Sequence, residues 1–222
     1  MSTPLVSFDR TTAEDDPFRW YHVRGTFAPG DAKALCETFP RDGFRMVTRT
    51  GSDKSYTMYH RPLHPVEGGE TDTAGLAEPW RRLVAEVTGP AYRAAVAALT
   101  GLPLGDAPIE VNVWRYGGSC WLDPHVDKPE KLVTHILYFN EAWPEGHGGD
   151  LLLLGSSSGD DVVRRIAPLS NTGVLLARGE NSWHAVERVR EGAAGLERLS
   201  AQVVFTRAYR HGRTRGPNTP RS

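Results

Sequence analysis

The residues best placed to do chemistry are His125 and Asp127, which stand in His125-Val126-Asp127 shortly after Gly117, Gly118 and Pro124. In extended chain, residues i and i+2 project to the same side, so an imidazole and a carboxylate converge there. A third ligand must come from elsewhere, and His184 is the candidate, opening a later β run after the turn Gly179-Glu180-Asn181-Ser182. Two histidines and one carboxylate on one face of an octahedron suit Fe(II) and leave three positions for other ligands. The tripeptide alone says little, because such runs arise by chance and structural His–Asp hydrogen bonds are common. Fourteen residues past His184, however, comes Arg198-Leu199-Ser200, where Arg198 and Ser200 share a strand face. A buried guanidinium fork is the natural partner for a carboxylate held bidentately.

The elements needed to bring these residues together are legible in the hydrophobic period. From residue 109 onward the period is 2, with β runs at 109–116, 132–139, 150–154, 162–166, 173–177, 184–189 and 199–206. Seven short strands between Gly, Pro, Ser and Asn turns predict a sandwich or jelly roll. The first half mixes helices and strands. Residues 20–27 alternate as a strand, and Asp31 is placed to N-cap a helix through Phe39, stopped before Pro40. Residues 44–48 and 56–60 flank Gly51-Ser52-Asp53 as a hairpin. Trp80, Leu83, Val84 and Val87 fall at helical spacing, and a second helix resumes at Pro90 after Gly89. Residues 1–18 are polar and read as frayed.

Composition narrows the function classes. The chain has 222 residues with 26 basic and 27 acidic side chains, a formal charge of -1, so it lacks the signature of a dedicated nucleic-acid or membrane-surface binder. Two cysteines, Cys36 and Cys120, far apart, give no disulfide framework and fit a reducing compartment. The start of the chain lacks the basic and apolar regions of a signal peptide, and no run approaches the roughly 20 apolar residues of a membrane helix. The expectation is a cytoplasmic protein of undefined oligomeric state with no nucleic-acid or membrane partner. One domain is expected over 1–222: residues 1–108 as helical support and lid, 109–207 as the core, and 208–222 as a basic, flexible tail.

Taken in order, Arg115-Tyr116-Gly117-Gly118, His125-Val126-Asp127, the run Leu132 to Asn140, Trp143, Gly148-Gly149-Asp150-Leu151, Trp183-His184-Ala185-Val186 and Arg198-Leu199-Ser200 resemble the Fe(II)/2-oxoglutarate-dependent oxygenases, in their prolyl-4-hydroxylase-like branch. The resemblance spans about residues 109–207 and implies a mainly β fold, a double-stranded β-helix (jelly roll) with N-terminal supporting helices. It implies Fe(II) held by His125, Asp127 and His184, with 2-oxoglutarate as co-substrate, dioxygen, and ascorbate as a candidate reductant. It also implies that Arg198, with Tyr138 and Ser200, receives the distal carboxylate of 2-oxoglutarate, and that Tyr116 and Thr134 line the same pocket. The implied reaction couples decarboxylation of 2-oxoglutarate to succinate with hydroxylation, desaturation or ring closure. Because Asp127 fills the carboxylate position that a small residue occupies in related halogenases, oxygenation is expected over halogenation.

For the substrate the sequence offers a polar lid over residues 41–61, with Arg45, Arg49 and Lys54, and a wall of Asn112, Trp114 and Ile136. These favour a polar small molecule, such as an amino acid or biosynthetic metabolite. Hydroxylation of a protein side chain such as proline is the alternative, and a non-catalytic jelly-roll binding module is the alternative of another class. His60 and His64 have metal-like spacing, but Pro62 and Pro65 forbid the helix that would align them. His135 should point away from Tyr138 by strand alternation.

Overall fold

The computed structural model describes residues 4–65, 71–191 and 195–207. Twelve strands and three helices follow in the order β1 (Thr11–Glu14), β2 (Trp20–Arg24), α1 (Pro29–Glu37), β3 (Arg45–Arg49), β4 (Tyr56–His64), α2 (Glu78–Val87), α3 (Pro90–Thr100), β5 (Ile109–Tyr116), β6 (Trp121–His125), β7 (Lys131–Tyr138), β8 (Leu151–Leu154), β9 (Val162–Ile166), β10 (Thr172–Ala177), β11 (His184–Val186) and β12 (Arg198–Thr206). The strands run in the order β1-β2-β10-β7-β12-β5-β4-β6-β11-β8-β9, with β3 added to β4. All these strand pairings are antiparallel, and the sheet curls on itself as a double-stranded β-helix.

Alternation along the long central strands separates a structural face from a chemical one. In β5, Ile109, Val111 and Val113 join the main core with Leu199, Ala201, Val203 and Phe205 of β12. The intervening Trp114, Tyr116, Arg198 and Gln202 face the interior of the curl instead. Helices cover the apolar side. In α2 the residues Trp80, Leu83, Val84 and Val87 form one buried stripe, as i, i+3, i+4 and i+7 must. The Trp80 indole donates to the Leu35 carbonyl at 3.0 Å and meets Phe39 edge-on at 5.1 Å, which locks α1 to α2. Truncating a fully buried indole costs about 3–5 kcal/mol, so Trp80 is a principal fastener of α2 to α1. α3 starts at Pro90, whose missing N–H costs nothing in a first turn, and ends at Gly101 with φ +71°.

Three sequence expectations are corrected. Residues 4–18 are not frayed: Leu5 and Val6 are buried, their backbone N–H groups donate to the Glu86 carboxylate at 2.7 and 2.6 Å, and residues 11–14 pair with β2. Short polar strands carry no periodic signal, and the anchoring acid lies 80 residues away. Asp31 does not cap α1, which starts at Pro29 after Ala28, placing Asp31 in the first turn. Proline's fixed φ set that start. Residues 121–125, absent from the expected strands, form β6 against β11 and β4. The expected basic tail at 208–222 lies outside the described residues.

Candidate active site

Strand pairing builds the centre. β11 lies antiparallel to β6 with His184 opposite His125, and the two rings stand 4.3 Å apart. Asp127 follows two residues after the end of β6, with its Oδ1 4.0 Å from His125 Nε2. One ligand atom from each of His125, Asp127 and His184 lies within 4.8 Å of the others, and all three residues are buried.

The hydrogen bonds set the protonation these ligands need. His125 Nδ1 donates to the Asp123 carbonyl and His184 Nδ1 to the Ser182 carbonyl, each at 2.9 Å. A carbonyl only accepts, so each ring carries its proton on Nδ1 and turns the Nε2 lone pair toward the centre. Burial pushes both imidazoles below the usual range, which keeps them neutral. For Asp127 burial pulls upward, but the Lys131 ammonium, by its charge and its hydrogen bond, outweighs it and holds the carboxyl well below the usual range. Lys131 Nζ donates to Asp127 Oδ1 at 2.7 Å and the Thr134 hydroxyl to Oδ2 at 3.0 Å. Two neutral nitrogen lone pairs and an ionised carboxylate are the donor set that a divalent first-row ion requires.

Asp123, which the sequence did not single out, clips this centre to the β3–β4 hairpin. Its backbone carbonyl orients His125, its carboxylate accepts from the Ser55 backbone N–H at 2.8 Å and the Trp121 indole at 2.8 Å, and its own N–H donates to the Ser55 carbonyl at 3.0 Å.

The triad opens into a cavity of about 310 Å³ that Arg198 also lines. That side chain is 1% exposed, yet among the described residues no carboxylate pairs with it. One of its terminal nitrogens donates to Ser200 Oγ at 3.0 Å, while Nε has no partner among the described residues. The guanidinium lies 5.0 Å from the Tyr116 ring centre and 5.2 Å from that of Tyr138. The Tyr138 hydroxyl is also buried without a hydrogen-bond partner among the described residues. An unpaired buried cation beside an orphaned hydroxyl is costly in isolation, and both are answered by an entering carboxylate.

The other sequence candidates are distributed as follows. Thr134, Ile136, Trp114 and Tyr116 line the cavity, as does Lys54. Burial raises the Tyr116 phenol to about 12, and it donates to Met58 Sδ at 3.3 Å. Tyr138 and Ser200 pack around Arg198 rather than in the cavity wall. Asn112 stands behind His60, accepting from its Nε2 at 2.6 Å while donating to Glu110 at 2.6 Å. His60 itself lines the cavity, stacked on Trp114 at 4.3 Å. Arg45 and Arg49 lie outside the wall; Val47 between them reaches it, and Arg49 is paired with Asp53 at 2.7 Å. Lys131, Met58 and Gln202 also line the cavity and were missed; their only sequence signal is strand parity with recognised residues, which needs the register to interpret. His135 points away from Tyr138 as expected and is fully buried, 2.7 Å from the Tyr92 hydroxyl.

Residues 111–206 match the model of the 2OG-Fe(II) oxygenase superfamily, a segment that contains the three ligand candidates and Arg198. That segment is a 2OG-Fe(II) oxygenase domain. The oxygenase shares its fold with a prolyl-4-hydroxylase from Pseudomonas putida, at TM-score 0.61 and 23% identity over 85% of this chain and 92% of that one. A prolyl hydroxylase from Trichoplax adhaerens, solved with a hypoxia inducible factor peptide fragment, aligns at TM-score 0.59 and 15% identity over 84% and 83%. HygX from Streptomyces hygroscopicus, solved with nickel and 2-oxoglutarate, aligns at 0.50 and 14% over 86% and 83%. No curated protein matches the chain in sequence. The oxygenase is an iron- and 2-oxoglutarate-dependent dioxygenase, and none of its described helices is long and apolar enough to cross a membrane.

Proposed function

We propose that His125, Asp127 and His184 hold Fe(II), that Arg198 with Tyr138 receives the distal carboxylate of 2-oxoglutarate, and that the enzyme hydroxylates a polar small molecule such as an amino acid or a biosynthetic metabolite. The observation carrying this reading is the single cavity that joins a neutral His, neutral His, ionised Asp cluster to an unpaired, fully buried guanidinium. Fe(II) with 2-oxoglutarate supplies, when bound, the activation of dioxygen that oxidises a substrate C–H bond. The protein's residues do the remaining work. Asp123 and Ser182 fix the ring planes of the two histidines, and Thr134 fixes the Asp127 carboxylate. Arg198 and the orphaned Tyr138 hydroxyl present donors to one carboxylate, which orients the co-substrate along the inner wall. The apolar side chains of Met58, Leu122, Ile136, Leu151 and Val186 limit water around the centre. A cavity of about 310 Å³ sits at the small end of ligand sites, roughly 300–1,000 Å³, and supports a small substrate over a folded one.

Anaerobic addition of Fe(II) and then 2-oxoglutarate tests the reading. A charge-transfer absorption that needs both, with succinate released on admitting oxygen, is the expected result. Absence of the band with intact protein sinks it and leaves a binding module.

A further inference from the structure

The charges lining the cavity do not balance. Its cations are Arg198, Lys54 and Lys131, and its one carboxylate is Asp127. Lys131 is neutralised by Asp127 at 2.7 Å. The proposed occupants, a divalent iron and a dianionic co-substrate, sum to zero, so the net positive charge of the cavity stays in place when both are bound. By contact, Lys131 meets Asp127 and Arg198 would meet the co-substrate carboxylate, which leaves Lys54 as the cation with no contacting anion. This side chain is half-buried, lines the cavity, and has neither an ion pair nor a side-chain hydrogen bond among the described residues.

Lys54 is also held in place. The backbone of its neighbour Ser55 makes two hydrogen bonds with Asp123, donating to its carboxylate and accepting from its N–H, and the carbonyl of Asp123 orients His125. The ammonium therefore stems from a point fixed relative to the metal ligands, not from a free loop tip. Outward from it runs a second hollow, lined by Arg49, Lys54, Lys128 and Arg178 against Asp53 and Glu180 and sharing His125 and Asp127 with the cavity. Since Arg49 is taken by Asp53, the path to the centre is net positive as well.

From this we infer that the substrate carries an anionic oxygen group, a carboxylate or phosphate monoester, and that Lys54 receives it. The inference rests on the small-molecule reading above and adds the group by which the substrate is recognised. It makes Lys54 the specificity-determining residue of the hairpin, ahead of Arg45 and Arg49. The anion enters along the positive hollow, meets Lys54, and thereby places the remainder of the molecule between the triad and the Trp114–His60 wall.

Two measurements test it, both on holoenzyme saturated with Fe(II) and 2-oxoglutarate so that Arg198 is already engaged. In the first, acetate, sulfate and neutral acetamide are the probes, and thermal unfolding is followed anaerobically. Acetate or sulfate should raise the melting temperature of wild type and of Lys54→Arg, acetamide should not, and Lys54→Glu should lose the anion effect. Equal responses in wild type and Lys54→Glu, or no anion response, overturn the inference. In the second, L-amino acids, their amides and sugar phosphates are screened for stimulation of succinate formation. Acids or phosphate monoesters should outperform their neutral counterparts at least tenfold, and Lys54→Glu should reduce that ratio at least tenfold. Whichever anion class stimulates names the group, whereas amides that match their acids overturn the inference. Loss of the charge-transfer band in wild type would instead strike the underlying reading.

Discussion

Arg198→Met separates a structural from a functional arginine, because a packing role predicts lost stability and a binding role predicts lost affinity. In the ligand-free enzyme the guanidinium is 1% exposed, makes one hydrogen bond to Ser200 at 3.0 Å, and lies between two tyrosine rings with no carboxylate partner. Methionine removes the hydrogen bond of a charged donor, worth about 2 kcal/mol, and two desolvated ring contacts, worth about 4 kcal/mol together. It also removes the desolvation penalty of an unpaired ion, which is several kcal/mol and of similar size. The two nearly cancel, so the melting temperature should stay within about 4 °C of wild type, at about 2–4 °C per kcal/mol for a chain of this size. Binding of 2-oxoglutarate should not be spared. Leaving its distal carboxylate buried without a partner costs about 3–5 kcal/mol, and at about 1.4 kcal/mol per decade this is at least a hundredfold in affinity. Calorimetry of the metal-free protein, Mn(II) titration and the concentration dependence of the charge-transfer band measure the three quantities. Mn(II) affinity should be nearly unchanged, and Arg198→Lys should recover only part of the loss because it lacks the fork. A variant that unfolds earlier yet binds 2-oxoglutarate as wild type does would show that Arg198 is a packing residue and that another group receives the co-substrate.

Other perturbations follow from the same structure. Burial lowers the His135 imidazole to about 3, so the unfolded chain takes up its proton first. The stability from its neutral form is complete above pH about 6.5 and falls by about 1.4 kcal/mol per pH unit below it, down to pH about 3. Urea midpoints of the metal-free protein from pH 7 to 4 should show this slope, and His135→Phe should flatten it by about one proton; an unchanged slope contradicts the assignment. Gly148 has φ +71°, and a Cβ there would run into the Arg188 carbonyl, so Gly148→Ala should cost about 1–3 kcal/mol from backbone strain alone, read as a lower melting temperature. Because Arg45 and Arg49 stand outside the cavity wall, Arg45→Gln and Arg49→Gln should raise substrate KM less than Lys54→Gln does, at little change in kcat. If Asp127 is the carboxylate ligand as proposed, turnover in chloride or bromide should yield no halogenated product by mass spectrometry; finding one would displace Asp127 from the ligand set.

Much of the fold, and the candidate triad, was legible because the signals are local. Period-2 alternation located all seven expected strands of the second half to within about three residues at each end, and period 3.6 located α2 and α3. His125 and Asp127 announce themselves because i and i+2 parity needs no tertiary information, and Arg198 because its strand and order follow His184. Pairing is a different matter. That His184 faces His125, that Ser200 lies opposite both Trp114 and Tyr138, and that Asp123 grips Ser55 all depend on register between segments up to 86 residues apart, which no window along the chain contains. The same limit explains the misjudged residues. The anchor for Leu5 and Val6 is Glu86, and the choice of Lys54 over Arg45 and Arg49 depends on which side of a two-stranded ribbon bends over the cavity. The sequence by itself determined which chemistry the chain can do, because ligand types and strand parity are properties of neighbours. Only the tertiary structure decided which charges meet in the cavity and which one is left over, because electrostatic balance is summed over residues that are distant in sequence and close in space.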